Sequence, residues 1–133
     1  MKRVHVAAGV IRNTRREIFI TKRTPGSHMA GFWEFPGGKI ERNETAVMAL
    51  QRELLEETGI VVHQPLPLSV LKHHFVDKPD QIVVLHFYLV ETWEGEPSGR
   101  EGQHGRWVAQ HALMVNDFPP ANASVIKLLT DKF

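Results

Sequence analysis

The segment 44–58 constrains the fold more than any other, because it carries the clearest helical pattern in the chain. Val47, Leu50 and Leu54 recur at helical spacing and form one apolar stripe. Gly59 follows at the position where helices commonly end in a left-handed residue. We therefore predict an amphipathic helix over 44–58 that Gly59 terminates.

β-Strand patterns lie on both sides of this helix. The predicted strands are 4–11, 17–22, 33–35, 68–76, 82–91 and 107–108, with turns at 13–16 and 77–80 and a long loop over 24–38. A second helix is predicted over 121–129, directly after Pro119 and Pro120. This order of elements predicts an α/β (α+β) domain in which a mixed β-sheet is sandwiched between helices.

Length and composition exclude several classes of protein. A chain of 133 residues fits one domain, 1–133. The net charge of +1 argues against a stable nucleic-acid complex, and the absence of cysteine excludes disulfides, thiolate zinc sites and cysteine nucleophiles. The N-terminal stretch makes a poor signal peptide, and no run of about 18 apolar residues exists. We expect a cytoplasmic monomer that does not contact a membrane.

Three acidic residues of the predicted helix, Glu53, Glu56 and Glu57, have the spacing that places them on one face. Like charges at this spacing destabilise a helix by roughly 0.2–0.5 kcal/mol per pair. The helix dipole adds about 0.3–1 kcal/mol for each acid near the C-terminal end. Bound Mg²⁺, which prefers oxygen ligands, would explain the cluster. Taken alone, the helix favours the alternative of a solvated acidic face in which Arg52 pairs with one neighbour.

Gly37 and Gly38 lie upstream of this helix, where a backbone without side chains would allow close approach of a metal or a phosphate. Lys39 follows as a candidate phosphate contact. Taken alone, the two glycines favour the alternative of a plain turn.

Residues 38–60, GKIERNETAVMALQRELLEETGI, resemble the Nudix box. The matching positions are Gly38, Glu44, Arg52, Glu53, Leu54, Glu56, Glu57, Gly59 and Ile60. A match at all of these positions with the right gaps is very specific. On these residues the chain is similar to the Nudix hydrolase family, and the resemblance implies the Nudix fold.

The resemblance also implies a metal site for Mg²⁺, with Mn²⁺ as a substitute. Its ligands would be the carbonyl oxygen of Gly37 and the carboxylates of Glu53, Glu56, Glu57 and, from a loop outside the box, Glu101. Glu53 would be the general base, although another glutamate remains open, and Arg52 would orient the glutamates. Glu44 would support the start of the helix or pair with Arg52. The alternative for Glu101 is an exposed loop charge.

The resemblance extends beyond the box. Stretches that include HMAGFWEFPGGKIE, which runs into the box, and DFPPAN resemble the branch of the family that hydrolyses 8-oxo-dGTP to 8-oxo-dGMP and pyrophosphate. The base would then lie near Arg23, His28, Phe35, Phe75 and Asn122. The Asn122 amide would donate to O6 and accept from N7–H of 8-oxoguanine, a pairing that guanine cannot complete. A helix N-cap is the alternative for Asn122, core packing for the two phenylalanines and simple exposure for Arg23.

Two other functions remain open from the sequence. A Nudix hydrolase could act on another nucleoside diphosphate derivative, such as a nucleotide sugar, a dinucleotide or a capped RNA. A non-catalytic Nudix domain that only binds its ligand is the second alternative, but such domains typically lose box acids, and all of them are present here. Residues 76–81 are also about three residues longer than the matching turn of the branch, which leaves the role of Lys78 open.

Overall fold

The computed structural model describes residues 2–26, 30–75, 77–100 and 103–132. Its strands are β1 Lys2–Arg12, β2 Glu17–Lys22, β3 Trp33–Glu34, β4 Gly37–Lys39, β5 Val61–His63, β6 Leu66–His73, β7 Gln81–Val90, β8 Thr92–Glu94 and β9 Gly105–Ala109. The α-helices are α1 Ala46–Thr58 and α2 Ala123–Lys132, and short 3₁₀ turns occupy Gln110–Ala112, Val115–Asp117 and Pro120–Asn122.

A seven-stranded mixed sheet forms the centre of the domain. Its main path runs β3-β2-β1-β7-β6, while β4 also pairs with β1 and β9 with β2. The β1–β7 pair is parallel and runs from Lys2 with Gln81 to Ile11 with Val90; the other pairs are antiparallel. β5 and β8 form a separate two-stranded sheet. The expected mixed sheet is therefore confirmed.

The two faces of the sheet carry separate hydrophobic cores, because alternate residues of a strand point to opposite faces. In β1, Ala7 and Ile11 belong to the core that includes α1, whereas Ala8 and Val10 belong to the core that includes α2. Gly9 faces α1, and a Cβ there would lie 2.8 Å from a methyl group of Leu54. The missing side chain therefore lets α1 pack closely on β1, with the expected helix on each side of the sheet.

The bounds of α1 follow from its caps. Thr45 is the N-cap, and its hydroxyl accepts a hydrogen bond from the backbone N–H of Met48 at 3.1 Å. Gly59 ends the helix in the left-handed conformation, with φ of 82°, and donates its N–H to the carbonyl oxygens of Leu54 and Leu55. The predicted terminator is thus confirmed. The predicted start at residue 44 was wrong, because the side chain of Thr45 caps the first turn.

Most other predicted elements have close counterparts, with three differences. The predicted strand 68–76 is too long, since β6 ends at His73, and Val76 lies outside the described residues. The second helix begins at Ala123, because the chain after Pro119 first forms a 3₁₀ turn. The strands β4, β5 and β8 were not predicted. Neither helix of the described chain has the length and apolar character needed to cross a membrane.

Candidate active site

Two carboxylates of α1 meet beside β4. Gly37 donates its backbone N–H to Oε2 of Glu57 at 3.2 Å, and Gly38 lies directly against the carboxylate of Glu53. Glu57 is only 8% exposed and is hydrogen bonded to Glu53. Burial first, and then the hydrogen bond to Glu53 and the charge of Glu34, raise the pKa of Glu57 to about 9. With no cation bound, this raised pKa favours the protonated form of Glu57 at neutral pH.

Gly37 and Gly38 allow this close approach because they lack side chains. A Cβ at Gly37 would overlap the carbonyl oxygen of Ala7 in β1, and a Cβ at Gly38 would overlap the carboxylate of Glu53. Both glycines lie in β4, which pairs with β1, so the simpler interpretation of a plain turn was wrong. A turn uses the backbone freedom of glycine, whereas this strand uses its small size.

Arg52 holds Glu53 in place through a network of hydrogen bonds. Its Nε and Nη2 atoms donate to the two carboxylate oxygens of Glu44 at 2.7 and 2.9 Å, and its Nη1 donates to Glu53 at 2.8 Å. Nη2 also donates to the carbonyl oxygen of Lys39 at 3.0 Å. The Arg52 hydrogen bonds and the N–H of Glu41 lower the pKa of Glu44 to about 2. The structure therefore contains the expected Glu44–Arg52 ion pair.

Glu56 does not join the carboxylate pair. Its side chain is 51% exposed and lies 3.8 Å from Nη1 of Arg52. At 3.6 residues per turn, Glu57 is rotated about 40° from Glu53 in one direction and Glu56 about 60° in the other. Among the described residues no group of three acidic, histidine or cysteine side chains is arranged to hold a metal ion. The expected three-carboxylate cluster is therefore not formed in this arrangement.

The chemistry of the Glu53–Glu57 pair nevertheless fits a divalent cation. Two carboxyl groups share a buried site in which one of them must stay protonated, and a cation can replace that proton. The backbone of β4 lies against both carboxylates, and hard cations prefer carboxylate and carbonyl oxygens. Rotation of the exposed Glu56 side chain would add a third carboxylate. These residues are therefore suited to hold such an ion.

A central cavity of about 380 Å³ opens on the α2 side of the sheet and extends to Gly37 and Gly38. Val6, Val83 and Leu85 form part of its apolar wall. The residues that the sequence analysis placed around a base and that line this cavity are Arg23, Phe35, Phe75 and Asn122. A cavity of this size with few polar groups can enclose a planar, ring-sized ligand. It also reaches the strand against which the carboxylate pair lies.

Asn122 brings an amide into this cavity at the end of the last 3₁₀ turn. Its Nδ2 donates weakly to the carbonyl oxygen of Pro119 at 3.4 Å. Within the described chain no backbone N–H donates to its Oδ1. Asn122 therefore makes no capping hydrogen bond in the described chain, which argues against the N-cap alternative. Its amide remains available to a ligand.

Phe35 contributes to both the core and the cavity wall. It is 4% exposed, stacks on Phe118 with ring centroids 5.2 Å apart and meets Phe87 edge to face at 5.9 Å. Phe75 is half-buried, and His73 packs edge to face against it at 4.5 Å. Phe35 therefore packs in the core and also lines the cavity.

Glu34 is a wall residue of the central cavity that the sequence analysis missed. It accepts a hydrogen bond from Nη1 of Arg23 at 2.6 Å and another from Gln103 at 3.2 Å. Burial raises the pKa of Glu34 in spite of the neighbouring Arg23. Arg23 is therefore held in an ion pair and is not simply exposed. The available signal was an acidic residue placed between Trp33 and Phe35, two large aromatics.

Lys39 and Lys78 also line the central cavity. Lys39 directly follows the two glycines as the last residue of β4. Lys78, whose role the sequence analysis left open, lies at the turn between β6 and β7. His28 and Glu101, expected at the base pocket and the metal site, lie outside the described residues.

Comparison with known proteins identifies the class to which this fold and site belong. Residues 1–129 match the NUDIX domain, so the chain belongs to this family of hydrolases, whose members generally depend on a divalent metal.

Individual relatives match over nearly the whole chain. The 8-oxo-dGTP diphosphatase of Escherichia coli (strain K12) is 50% identical over 129 residues, which are 97% of this chain and 98% of that protein. The 8-oxo-dGTP diphosphatase of Haemophilus influenzae is 47% identical over 131 residues, 98% of this chain and 94% of that protein. A solved structure from a study of MutT from Aliivibrio salmonicida and Vibrio cholerae aligns with a TM-score of 0.84 and 42% identity. The alignment covers 99% of this chain and 100% of the chain in that structure.

Proposed function

We propose that the protein hydrolyses 8-oxo-dGTP to 8-oxo-dGMP and pyrophosphate with Mg²⁺, and so removes a mutagenic nucleotide before it enters DNA. The observation that carries the proposal is the Asn122 amide, which projects into an apolar cavity with its oxygen unpaired among the described residues. The substrate named for relatives at 50% and 47% identity supports the same choice.

Recognition of the base depends on the two ends of the Asn122 side chain. Nδ2 donates to O6, and Oδ1 accepts from the N7–H that 8-oxoguanine has and guanine lacks. Guanine would leave the amide oxygen facing an acceptor in an apolar cavity. Sites of this kind reject the wrong analogue by about 10⁴–10⁵. Phe35 and Phe75 provide flat apolar contacts for the rings.

The phosphates lie toward β4 and the carboxylate pair in this proposal. Glu53, Glu57 and the Gly37 carbonyl oxygen, with Glu56 after rotation of its side chain, are the residues in the described chain that would hold Mg²⁺, for which Mn²⁺ is a substitute. The bound ion would neutralise phosphate charge and lower the pKa of a coordinated water. Lys39, at the mouth of the cavity, contacts a phosphate oxygen.

Glu53 removes the proton from the water that attacks the β-phosphorus. Its carboxylate is held between Gly38 on one side and the guanidinium of Arg52 on the other, which fixes its direction. Arg52 is in turn anchored by Glu44, so it acts as a positioning residue. General base catalysis of this kind contributes about 10²–10⁴ in rate.

The test compares 8-oxo-dGTP with dGTP as substrates of the wild type, Asn122→Ala and Asn122→Asp. Alanine removes the acceptor for N7–H, so this variant should lose most of the discrimination. Aspartate keeps an acceptor but loses the donor to O6, which both bases carry, so it should weaken use of both substrates and still prefer 8-oxo-dGTP. Asn116→Ala, at an exposed position outside the cavity wall, is the matched control. Discrimination by Asn122→Ala equal to that of the wild type would refute the base-recognition argument.

Product analysis tests the bond that is broken. Pyrophosphate is expected, and release of orthophosphate would contradict attack at the β-phosphorus. A parallel panel of a nucleotide sugar, a dinucleotide and a capped RNA separates the proposed substrate from other nucleoside diphosphate derivatives. We also propose that the enzyme acts as a cytoplasmic monomer on this small nucleotide, and sedimentation analysis measures the oligomeric state.

A further inference from the structure

A second cavity, which we call the basic pocket, adjoins the central cavity and shares Val4 and Lys39 with it. Its volume is about 580 Å³, and it is open to solvent. The start of β1, the residues between β4 and α1, and His86 of β7 form its walls. Its four cationic residues are Lys2, Arg3, Lys39 and Arg42.

The charges of these cations are not neutralised within the protein. In the described parts of the chain none of the four side chains forms an ion pair or a hydrogen bond. Two acids, Glu41 and Glu44, also line the pocket. Glu44 is bound at both oxygens by Arg52, and the exposed Glu41 lies 3.7 Å from the same guanidinium. The pocket therefore keeps an excess of positive charge.

A pair of histidines forms part of the wall. Nδ1 of His5 and Nε2 of His86 are 3.0 Å apart, so one ring donates a hydrogen bond to the other. Burial, and then the neighbouring His5, lower the pKa of His86. The ring that accepts this hydrogen bond carries its proton on its other nitrogen, which can donate to an anion.

The position of Lys39, which lines both cavities, indicates which anion fits. Lys39 lines both of them and directly follows Gly37 and Gly38, which lie against the carboxylate pair. Through Lys39 the basic pocket therefore adjoins the strand against which the carboxylate pair lies. Four cations spread around one cavity suit an anion with several charges better than a single carboxylate.

We propose that the basic pocket is a binding site for a diphosphate group. Two sources can supply this chemistry: the pyrophosphate that leaves after hydrolysis, and the terminal phosphates of the bound nucleotide. That the diphosphate comes from a nucleotide or from its hydrolysis rests on the proposed function, whereas the binding of a diphosphate does not.

The first experiment titrates inorganic pyrophosphate into the full chain by calorimetry, with EDTA present so that no divalent metal takes part. Arg3→Gln/Arg42→Gln should bind pyrophosphate about tenfold more weakly than the wild type, or worse, because two charged donors are lost. Arg15→Gln/Lys127→Gln, which removes the same charge at exposed positions outside the pocket, should stay within about twofold. Equal effects of the two double variants, or no effect of the first, would overturn the proposal.

Glu53→Gln/Glu57→Gln separates this inference from the proposed function. This variant should lose hydrolysis and still bind pyrophosphate in EDTA. A protein that binds pyrophosphate through Arg3 and Arg42 but leaves 8-oxo-dGTP intact would refute the proposed function alone. A protein that hydrolyses 8-oxo-dGTP while Arg3→Gln/Arg42→Gln retains wild-type pyrophosphate affinity would refute the basic pocket alone.

Steady-state kinetics then distinguish the two sources. A higher inhibition constant for pyrophosphate in Arg3→Gln/Arg42→Gln, with the KM for 8-oxo-dGTP unchanged, supports a pocket for the released product. A parallel rise in KM supports contact with the phosphates of the nucleotide. If neither constant differs from that of Arg15→Gln/Lys127→Gln, the pocket has no part in binding phosphate.

Discussion

Replacement of Glu57 by glutamine is expected to change how the stability of the metal-free protein depends on pH. In the folded protein the pKa of Glu57 is about 9, against an ordinary value of 4.5. Below about pH 4.5 Glu57 is protonated in both the folded and the unfolded state, so this residue does not lower the stability there. As the pH rises, the unfolded state loses its proton first, so stability falls until the folded carboxyl also ionises. Glutamine keeps the shape and the hydrogen bond from Gly37 but cannot ionise.

The magnitude follows from the shift. Each pH unit between the two pKa values costs about 1.4 kcal/mol of unfolding free energy. Between about pH 5.5 and about pH 8.5 the full effect would be about 4 kcal/mol, and sharing of the proton with Glu53 reduces it to about 3 kcal/mol. A domain of 133 residues loses about 0.3 kcal/mol per degree near its melting temperature. The expected change is therefore about 10 °C in Tm.

The assay is thermal unfolding by circular dichroism in EDTA at a series of pH values, for the wild type and Glu57→Gln. The comparison cancels the titrating groups that do not interact with Glu57, so the difference in Tm between the two proteins reports Glu57 together with its coupling to Glu53. That difference should move by about 10 °C against the wild type as the pH rises. Added MgCl₂ should stabilise only the wild type at the high end. A constant difference across the series would refute the argument that Glu57 is buried with a raised pKa.

Four further substitutions test other parts of the site and the end of α1. Gly38→Ala should lower kcat/KM by about 10²-fold or more, because its Cβ would displace the Glu53 carboxylate; a variant as active as the wild type would contradict this. Glu44→Gln should lower kcat about tenfold, because it loosens Arg52. Arg52→Lys should also lower kcat about tenfold, although it keeps the positive charge. Wild-type kcat in Arg52→Lys would show that the charge alone matters. Gly59→Ala should destabilise by about 1–2 kcal/mol in urea unfolding, from its positive φ and from Arg100, 2.8 Å from the added Cβ. Gly26→Ala, with a similar φ and open space, is the control for that substitution and should cost less.

The sequence predicted those parts of the structure that depend on local spacing. The apolar stripe and Gly59 located α1, and alternation located β1, β2 and β7. The short strands β5 and β8 were not predicted, because three residues contain too little alternation to be recognised. The wrong start of α1 came from extending the helical pattern past Thr45, whose side chain caps the first turn.

The site was predictable where neighbours in sequence are also neighbours in space. The contact between Arg52 and Glu44 and the pairing of Glu53 with Glu57 both follow from helical and near-helical spacing. Helical spacing predicted a shared face for Glu53, Glu56 and Glu57 but not the separation of the exposed Glu56 from the other two, because residues on one face still differ in direction by up to about 100°. The role of Glu34 depends on tertiary contacts with Arg23 and Gln103, which no local pattern contains.

The parallel pairing of β1 with β7 has a consequence for how the protein is made. Lys2 to Ile11 pair with Gln81 to Val90, so each residue of the first strand pairs with one 79 positions later in the sequence. At a synthesis rate of about 5–20 residues per second, the first strand leaves the ribosome about 4–16 s before its long partner. Throughout that interval its hydrogen-bonding edge is open to other nascent chains. The domain should therefore acquire its native order only late in translation, and slower elongation should increase aggregation of the unfinished polypeptide.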